Sequence, residues 1–237
     1  MPSPFLTAAW ERLIMANYIV DAALLTPYLP HKTELDIFNG KVYISLVGFM
    51  FMNTRILGLK IPFHVNFEEV NLRFYVRYND NDEWKRGTVF IKEIVPKRAI
   101  SFVANTVYRE KYSTKRMRNT RTESGNEMTV SYHWKHGRVW NRIEATVDKT
   151  AMSMAPGSEE EFIAEHYWGY SKYNDSTTFE YQVEHPAWKI FPVKNYLIEC
   201  DFKALYGDAF SELTGAKPDS VFVAEGSEIA VLKKRRL

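Results

Sequence analysis

The stretch that most constrains how this chain can fold is residues 67–77, Phe-Glu-Glu-Val-Asn-Leu-Arg-Phe-Tyr-Val-Arg. Within it, apolar side chains at Val70, Leu72, Phe74 and Val76 alternate with polar or amphipathic residues. A period of two is that of a β-strand with one apolar and one polar face. The stretch is therefore predicted to be a strand whose apolar face packs against a core.

The polar face of this predicted strand has an unusual content. In succession it carries a carboxylate, a carboxamide, a guanidinium and a phenol, at Glu69, Asn71, Arg73 and Tyr75. Most of these groups position or titrate a small ligand. The alternative is that they form the solvent-facing side of an antiparallel strand, which commonly looks like this. The alternation alone leaves both interpretations open.

Turn and cap signals divide the rest of the chain into short strands and a few helices. Asn39-Gly40 predicts a tight hairpin between 35–38 and 42–52. Pro96 at a first helical position predicts a helix over 96–111. The remaining predictions are a helical turn at 5–12, strands at 13–20, 87–95, 117–122, 128–134, 139–147, 179–185 and 188–199, short helices at 21–25 and 158–166, a helix at 201–213, and a closing hairpin of 221–224 and 229–232.

Composition and charge exclude several classes of partner. The formal net charge is only +2, so no overall field recruits nucleic acid. The basic stretch 109–121 has tyrosines interleaved and could contact nucleic acid, but an edge strand whose Lys and Arg side chains prevent sheet-to-sheet pairing is favoured. The longest apolar run, 42–52, is about half of the roughly 20 residues that span a bilayer. We therefore expect no membrane partner, no nucleic acid and, without a signal peptide, a cytoplasmic location.

Metal and cofactor chemistry find no support in the sequence. The single cysteine, Cys200, rules out an internal disulfide and a thiolate zinc cage within one chain. The six histidines form no His-Glu-x-x-His or comparable ligand set. No glycine-rich phosphate loop and no nucleophile elbow is present. The sequence therefore predicts no metal and no cofactor.

The sharpest chemical signal is Pro96-Lys97-Arg98. If a helix begins at Pro96, Lys97 and Arg98 lie in its first turn, where the positive end of the helix dipole disfavours cations. The neighbouring guanidinium adds a second positive charge, and both effects push a lysine towards its neutral, nucleophilic form. A neutral lysine can form a Schiff base with a carbonyl compound, while a carboxylate such as Glu69 moves protons. The alternative is that both side chains point into water.

Seven short motifs spread over nearly the whole chain carry a family resemblance. They are Trp10, Leu29-Pro30, Phe38-Asn39-Gly40, the apolar strand 42–52, residues 69–76, Gly87-Thr88-Val89-Phe90 and residues 220–224. Together they resemble the YqjF-like family, a group of uncharacterised bacterial proteins similar in fold to acetoacetate decarboxylase. The resemblance implies one domain over 1–237 with an α+β fold, in which a large curved antiparallel sheet closes into a barrel-like cone around a central cavity, with a few short helices. The polar face of 67–77 would then look into the cavity.

The resemblance also implies a set of site residues. Acetoacetate decarboxylase has a Phe-Pro-Lys-Lys segment whose first lysine forms the Schiff base and whose second lowers the pKa of the first. Val95-Pro96-Lys97-Arg98 is similar, although an arginine replaces the second lysine and the Gly-Phe before the proline is Ile94-Val95. Shared fold alone does not establish shared chemistry. The implied catalytic residues are Lys97, Arg98 and Glu69, and the implied ligand-binding residues are Asn71, Arg73 and Tyr75.

The sequence thus predicts an uncharacterised protein with an enclosed pocket for a small carbonyl- or carboxylate-bearing molecule. Schiff-base chemistry of the lyase or decarboxylase type is one version of this hypothesis. The alternative is a non-catalytic ligand-binding or interaction protein, in which Glu69 and Arg73 pair as a buried structural bridge. The identity of the ligand and whether it is turned over do not follow from the sequence, and a homo-oligomer is compatible with it.

Overall fold

The computed structural model of the chain describes residues 4–237 and is mostly β-structure with a few short helices. The helices are α1 (Ala22–Leu25), α2 (Arg98–Val103), α3 (Glu159–Ala164) and α4 (Phe202–Tyr206), with 3-10 turns at Thr26–Tyr28 and Asp208–Leu213 and a wider helical segment at Ala104–Tyr108. The strands are β1 (Leu6–Val20), β2 (Glu34–Leu35), β3 (Val42–Ile56), β4 (Phe67–Asp80), β5 (Glu83–Val95), β6 (Tyr112–Thr114), β7 (Met117–Ser124), β8 (Glu127–His136), β9 (Val139–Asp148), β10 (Met152–Ser153), β11 (Trp168–Asn174), β12 (Thr177–Glu184), β13 (Lys189–Phe191), β14 (Val193–Glu199), β15 (Ser220–Val231) and β16 (Arg235–Arg236).

Seven strands of the large sheet close into a ring. Their order is β15-β1-β3-β4-β5-β11-β12, and β12 returns to β15 by pairing Val183 with Val231 and Glu184 with Ala230. Neighbours in the ring are antiparallel except β5 and β11, which are parallel. Closure leaves these strands without free edges. The predicted large curved sheet that closes around a central space is confirmed.

Strand β4 lies between β3 and β5, and both of its faces are buried. Its apolar face, which includes Val70, Leu72 and Phe74, belongs to the same hydrophobic cluster as Tyr132 and Trp134 of the small sheet. That packing leaves the opposite face, with the odd-numbered residues, to turn towards the interior of the ring. The strand predicted from 67–77 is thus a central strand of the ring.

The small sheet has the order β14-β9-β8-β7, so β7 is an edge strand. Arg118 and Arg121 on β7 are exposed, and the Arg118 guanidinium lies 4.6 Å from the centre of the Trp140 ring. Charged side chains on an exposed edge discourage pairing with another sheet. This placement matches the edge-strand interpretation of the basic stretch.

The predicted helical turn at 5–12 is wrong, because Leu6–Val20 is one continuous strand. The pairing of β1 with β3 shifts register between Glu11 and Ile14, where Arg12 has a φ of 55°. A bulge of this kind adds a residue and breaks the alternation on which strand prediction relies. The bulge therefore interrupts the strand alternation in this part of the chain.

The predicted closing hairpin is also wrong, since Ser220–Val231 is a single strand. Gly226 pairs with Glu11 on β1 and has a φ of 85°. A Cβ at this position would overlap the carbonyl oxygen of Trp10. The glycine marks a close approach of two strands rather than a turn.

Two predicted helices are shorter than expected. The helix predicted over 96–111 ends at Tyr108, because Arg109 takes a left-handed φ of 58°. The helix predicted over 201–213 is interrupted by Gly207, with a φ of 110°. The Asn39-Gly40 turn is confirmed, with φ angles of 49° and 75°, although Glu34–Leu35 pairs with β4 instead of β3.

No helix within residues 4–237 is long and apolar enough to cross a bilayer. The prediction of one domain over 1–237 stays a prediction, and its first three residues lie outside the described part of the chain.

Candidate functional site

The interior of the ring holds a cavity of about 180 Å³ to which all seven ring strands contribute side chains. Its walls are mostly apolar, with aromatic side chains prominent among them. Ile61, in the loop before β4, and Ala99, on α2, both line the cavity and are exposed to solvent. The buried polar residues that line it are Thr54, Glu69, Asn71, Arg73, Thr88, Glu93, Glu110 and His166. An apolar cavity with a few polar groups is the usual form of a small-molecule site.

Three of the predicted site residues are brought together by β4. Glu69, Asn71 and Arg73 lie on the same face of the strand, and all three line the cavity. The two oxygens of Glu69 accept hydrogen bonds from Asn71 Nδ2 and from the Tyr112 hydroxyl, each at 3.0 Å. Glu69 therefore does not form the structural bridge with Arg73 that the alternative hypothesis requires.

Two further glutamates stand beside Glu69, and sequence reasoning missed both. Glu93 on β5 pairs in register with Asn71 on β4 and with Tyr112 on β6. Glu110 Oε1 accepts a hydrogen bond from the hydroxyl of Tyr181 at 2.9 Å. All three carboxyl groups line the cavity and are buried. We call Glu69, Glu93 and Glu110 the carboxyl cluster.

Burial changes the protonation of the carboxyl cluster. It raises the pKa of Glu69 to about 7, against the opposing effect of the hydrogen bonds from Asn71 and Tyr112. It raises the pKa of Glu110 to about 8. Burial and the charges of its two neighbours raise the pKa of Glu93 well above the ordinary value. Near neutral pH the cluster therefore retains protons, and Glu69 is poised to gain or lose one.

Arg73 is the buried cation of the cavity. Only 8% of its surface is exposed, and its Nε has no hydrogen-bond partner in the described part of the chain. Its Nη2 meets only the sulfur of Met15, at 3.9 Å. None of the ion pairs formed within residues 4–237 includes Arg73. The Arg73 charge opposes the rise in the pKa of Glu69 that burial causes, but the two groups do not pair directly. Because a buried guanidinium without a directly bonded counter-ion is costly, the site is suited to an anion.

His166 is a second lining residue that sequence reasoning missed. Its Nε2 lies 3.2 Å from Asp36 Oδ2, which also accepts a hydrogen bond from Arg86 Nε at 2.6 Å. Burial would raise the pKa of Asp36, but these hydrogen bonds hold it below the ordinary value. Burial lowers the pKa of His166 to about 4, so the ring is neutral at neutral pH. No local motif in the sequence marks His166, because its partners are distant along the chain.

The ring of Tyr75 packs against the ring of His166. The two rings are 4.6 Å apart between centres, and Tyr75 is 1% exposed. The Tyr75 hydroxyl donates to Ser45 Oγ at 2.7 Å, and Ser45 Oγ donates to Asn17 Oδ1 at 2.6 Å. Tyr75 does not line the cavity, so its ring packs beside the site while its hydroxyl is bound elsewhere.

The structure does not bring the Lys97-Arg98 pair into the cavity. Lys97 is the half-buried residue that precedes α2, and Arg98 is exposed. Their neighbours Ala99 and Ile100 line the cavity, but Lys97 and Arg98 do not. The cavity wall contains no lysine among the described residues.

No group of three or more His, Cys, Asp or Glu side chains within residues 4–237 is arranged to hold a metal ion.

The ring of strands around a cavity defines an acetoacetate decarboxylase-like fold. The enduracididine biosynthesis enzyme MppR, solved with pyruvate, has a TM-score of 0.67 and 12% identity, over 100% of this chain and 91% of MppR. Acetoacetate decarboxylase from Legionella pneumophila has a TM-score of 0.64 and 11% identity, over 100% and 88%. An acetoacetate decarboxylase-like enzyme from Sphingomonas wittichii RW1 has a TM-score of 0.67 and 11% identity, over 99% and 94%. At such identities the likeness shows the fold alone.

The chain belongs to the DUF2071 family, described as an uncharacterized conserved protein, whose model matches residues 7–228. The uncharacterized protein YqjF of Bacillus subtilis (strain 168) is 26% identical over 188 residues, which are 76% of this chain and 72% of YqjF. The resemblance to the YqjF-like family is confirmed.

Proposed function

We propose that the cavity binds a small molecule with an apolar body and a carboxylate, and that Arg73 holds the carboxylate. The observation that carries this proposal is the buried guanidinium, which has no anionic partner in the described part of the chain. A guanidinium presents a fork of donors that matches a carboxylate. A bound carboxylate would supply the missing counter-ion, while the aromatic wall covers the rest of the ligand.

Proton transfer is the chemistry that this arrangement supports best. Glu69 lies on the same strand face as Arg73, and its pKa of about 7 lets it exchange a proton near neutral pH. Its hydrogen bonds to Asn71 and Tyr112 hold the carboxyl group in place. A ligand anchored on Arg73 would present its neighbouring carbon or oxygen atoms to this acid–base group. A non-catalytic binder would use the same anchor without turnover.

Schiff-base chemistry is not part of the proposal, because Lys97 does not line the cavity. A small carboxylate as ligand agrees with the pyruvate that is bound in one of the solved structures of the same fold.

The proposal is tested by calorimetric titration of the protein with a panel of short aliphatic carboxylates. Arg73→Met should weaken binding about tenfold or more, since a hydrogen bond to a charged group contributes about 1.5–3 kcal/mol. Arg77→Met is the matched control, because Arg77 lies on the same strand, is bonded to Glu34 and does not line the cavity. Unchanged affinity in the Arg73 variant would refute the proposal.

A further inference from the structure

One nitrogen of His166 has no partner in the described part of the chain. The side chain is 1% exposed and lines the cavity, and Nδ1 is buried without a hydrogen bond. A buried polar atom without a partner costs free energy, so native proteins rarely leave one without a role.

The partner of His166 Nε2 determines whether His166 Nδ1 is a hydrogen-bond donor or a hydrogen-bond acceptor. Asp36 accepts from Arg86 Nε at 2.6 Å, and an ionised carboxylate can only accept. Nε2 also lies 3.4 Å from Arg86 Nη2, which can only donate, but the acceptor Asp36 Oδ2 is closer, at 3.2 Å. We therefore place the proton between Asp36 and His166 on Nε2. A neutral imidazole carries one proton, so Nδ1 has a lone pair and acts as an acceptor.

The ring of His166 and the guanidinium of Arg73 both lie beside Tyr75. The Tyr75 ring centre lies 4.6 Å from the His166 ring centre and 5.7 Å from Arg73 Cζ. The guanidinium and the imidazole therefore share the Tyr75 ring as a neighbour, and the Arg73 charge adds to the effect of burial in lowering the pKa of His166.

We infer that the ligand is a 2-hydroxy carboxylic acid whose hydroxyl donates to His166 Nδ1 while its carboxylate binds Arg73. This inference rests on the proposed function and specifies its ligand class. A carboxylic acid without a substituent at this carbon leaves Nδ1 without a partner. The keto form of a 2-oxo acid places a second acceptor against the lone pair. A 2-amino acid has donors, but its ammonium group would be a second buried cation beside Arg73.

The test compares ligands with one carbon skeleton. Titration with 2-hydroxybutyrate, butyrate and 2-oxobutyrate should show that the hydroxy acid binds roughly tenfold or more tightly than the other two. His166→Phe should remove this preference and still bind butyrate, whereas the exposed His31→Phe, the control, should keep the preference.

The outcomes separate this inference from the proposed function. Equal binding of the three acids, or a preference that survives in the His166 variant, would overturn the hydroxy-acid inference and leave the carboxylate site standing. Failure of every acid to bind would overturn both.

Nitrogen NMR of the unmodified protein is an independent test, because it does not require that a variant folds. It should show a proton on Nε2 of His166 and none on Nδ1, and the opposite tautomer would overturn the inference.

Discussion

Replacement of Glu110 by glutamine should stabilise the protein at alkaline pH and change little at acidic pH. Glu110 is 8% exposed, and its Oε1 accepts from the Tyr181 hydroxyl, a bond that the amide oxygen of glutamine can keep. Burial raises the pKa of Glu110 from 4.5 to about 8. The fold thus favours the protonated carboxyl. Its contribution to stability is complete below pH 4.5 and is lost as the pH rises to about 8.

The magnitude follows from the two pKa values. Between pH 5 and pH 8 the folded state retains the proton while the unfolded state releases it, which lowers the free energy of unfolding by about 3–4 kcal/mol for this group. Glutamine does not titrate, so the free energy of unfolding of the Glu110→Gln variant does not fall in this way. Glutamine also removes the Glu110 charge that, together with burial, raises the pKa of Glu93, and this favours the variant further at alkaline pH.

Urea unfolding of both proteins at pH 5 and at pH 8 measures the effect. The stability of the variant relative to the wild type should increase by about 3 kcal/mol between the two pH values. Glu225→Gln, at an exposed position on β15, is the control and should show no such increase. An increase below about 1 kcal/mol would mean that Glu110 ionises at little cost, and the reasoning from burial would fail.

Three other predictions concern the walls of the site, the ion pair between β16 and β12, and the alternative chemistry. Gly169→Ala would place a Cβ within the ring of Tyr181. We expect the free energy of unfolding, measured by urea denaturation, to fall by about 2 kcal/mol. An unchanged midpoint would contradict this packing. Arg235→Met removes the 2.5 Å ion pair with the fully buried Glu180, and the nearest remaining cation is a lysine 3.8 Å away. We expect the free energy of unfolding to fall by about 2 kcal/mol, which lowers the Tm. A Tm equal to that of the wild type would argue against a native ion pair. Borohydride treatment in the presence of 2-oxo acids should leave the intact mass unchanged, because no lysine lines the cavity among the described residues, and an adduct mapped to Lys97 would restore the Schiff-base mechanism.

The strand at the centre of the site could be predicted because its alternation is strictly local. The side chains of β4 follow a period of two, and that pattern is sufficient to place Glu69, Asn71 and Arg73 on one face. Whether that face meets solvent or an interior depends on closure of the ring by β12 and β15, which are distant along the chain. The family resemblance supplied this information, and the alternation alone did not.

The rest of the site depends on irregular or long-range features. Pairing of β5 with β4 shifts register next to Leu72, so the position of Glu93 cannot be read from simple alternation along β5. Glu110 lies in a basic stretch whose composition indicates a solvated surface, yet it is buried. His166 is defined by its bond to Asp36, which is 130 residues away. Only the tertiary structure brings these groups together.

The central claim is that Arg73 anchors a carboxylate inside the ring. A crystal structure of the protein soaked with the tightest-binding acid of the titration panel tests it most directly. The account predicts ligand carboxylate oxygens at hydrogen-bond distance from the Arg73 guanidinium, about 2.7–2.9 Å, with the apolar part against the aromatic wall. A ligand bound outside the cavity, or inside it with its carboxylate away from Arg73, would contradict the account.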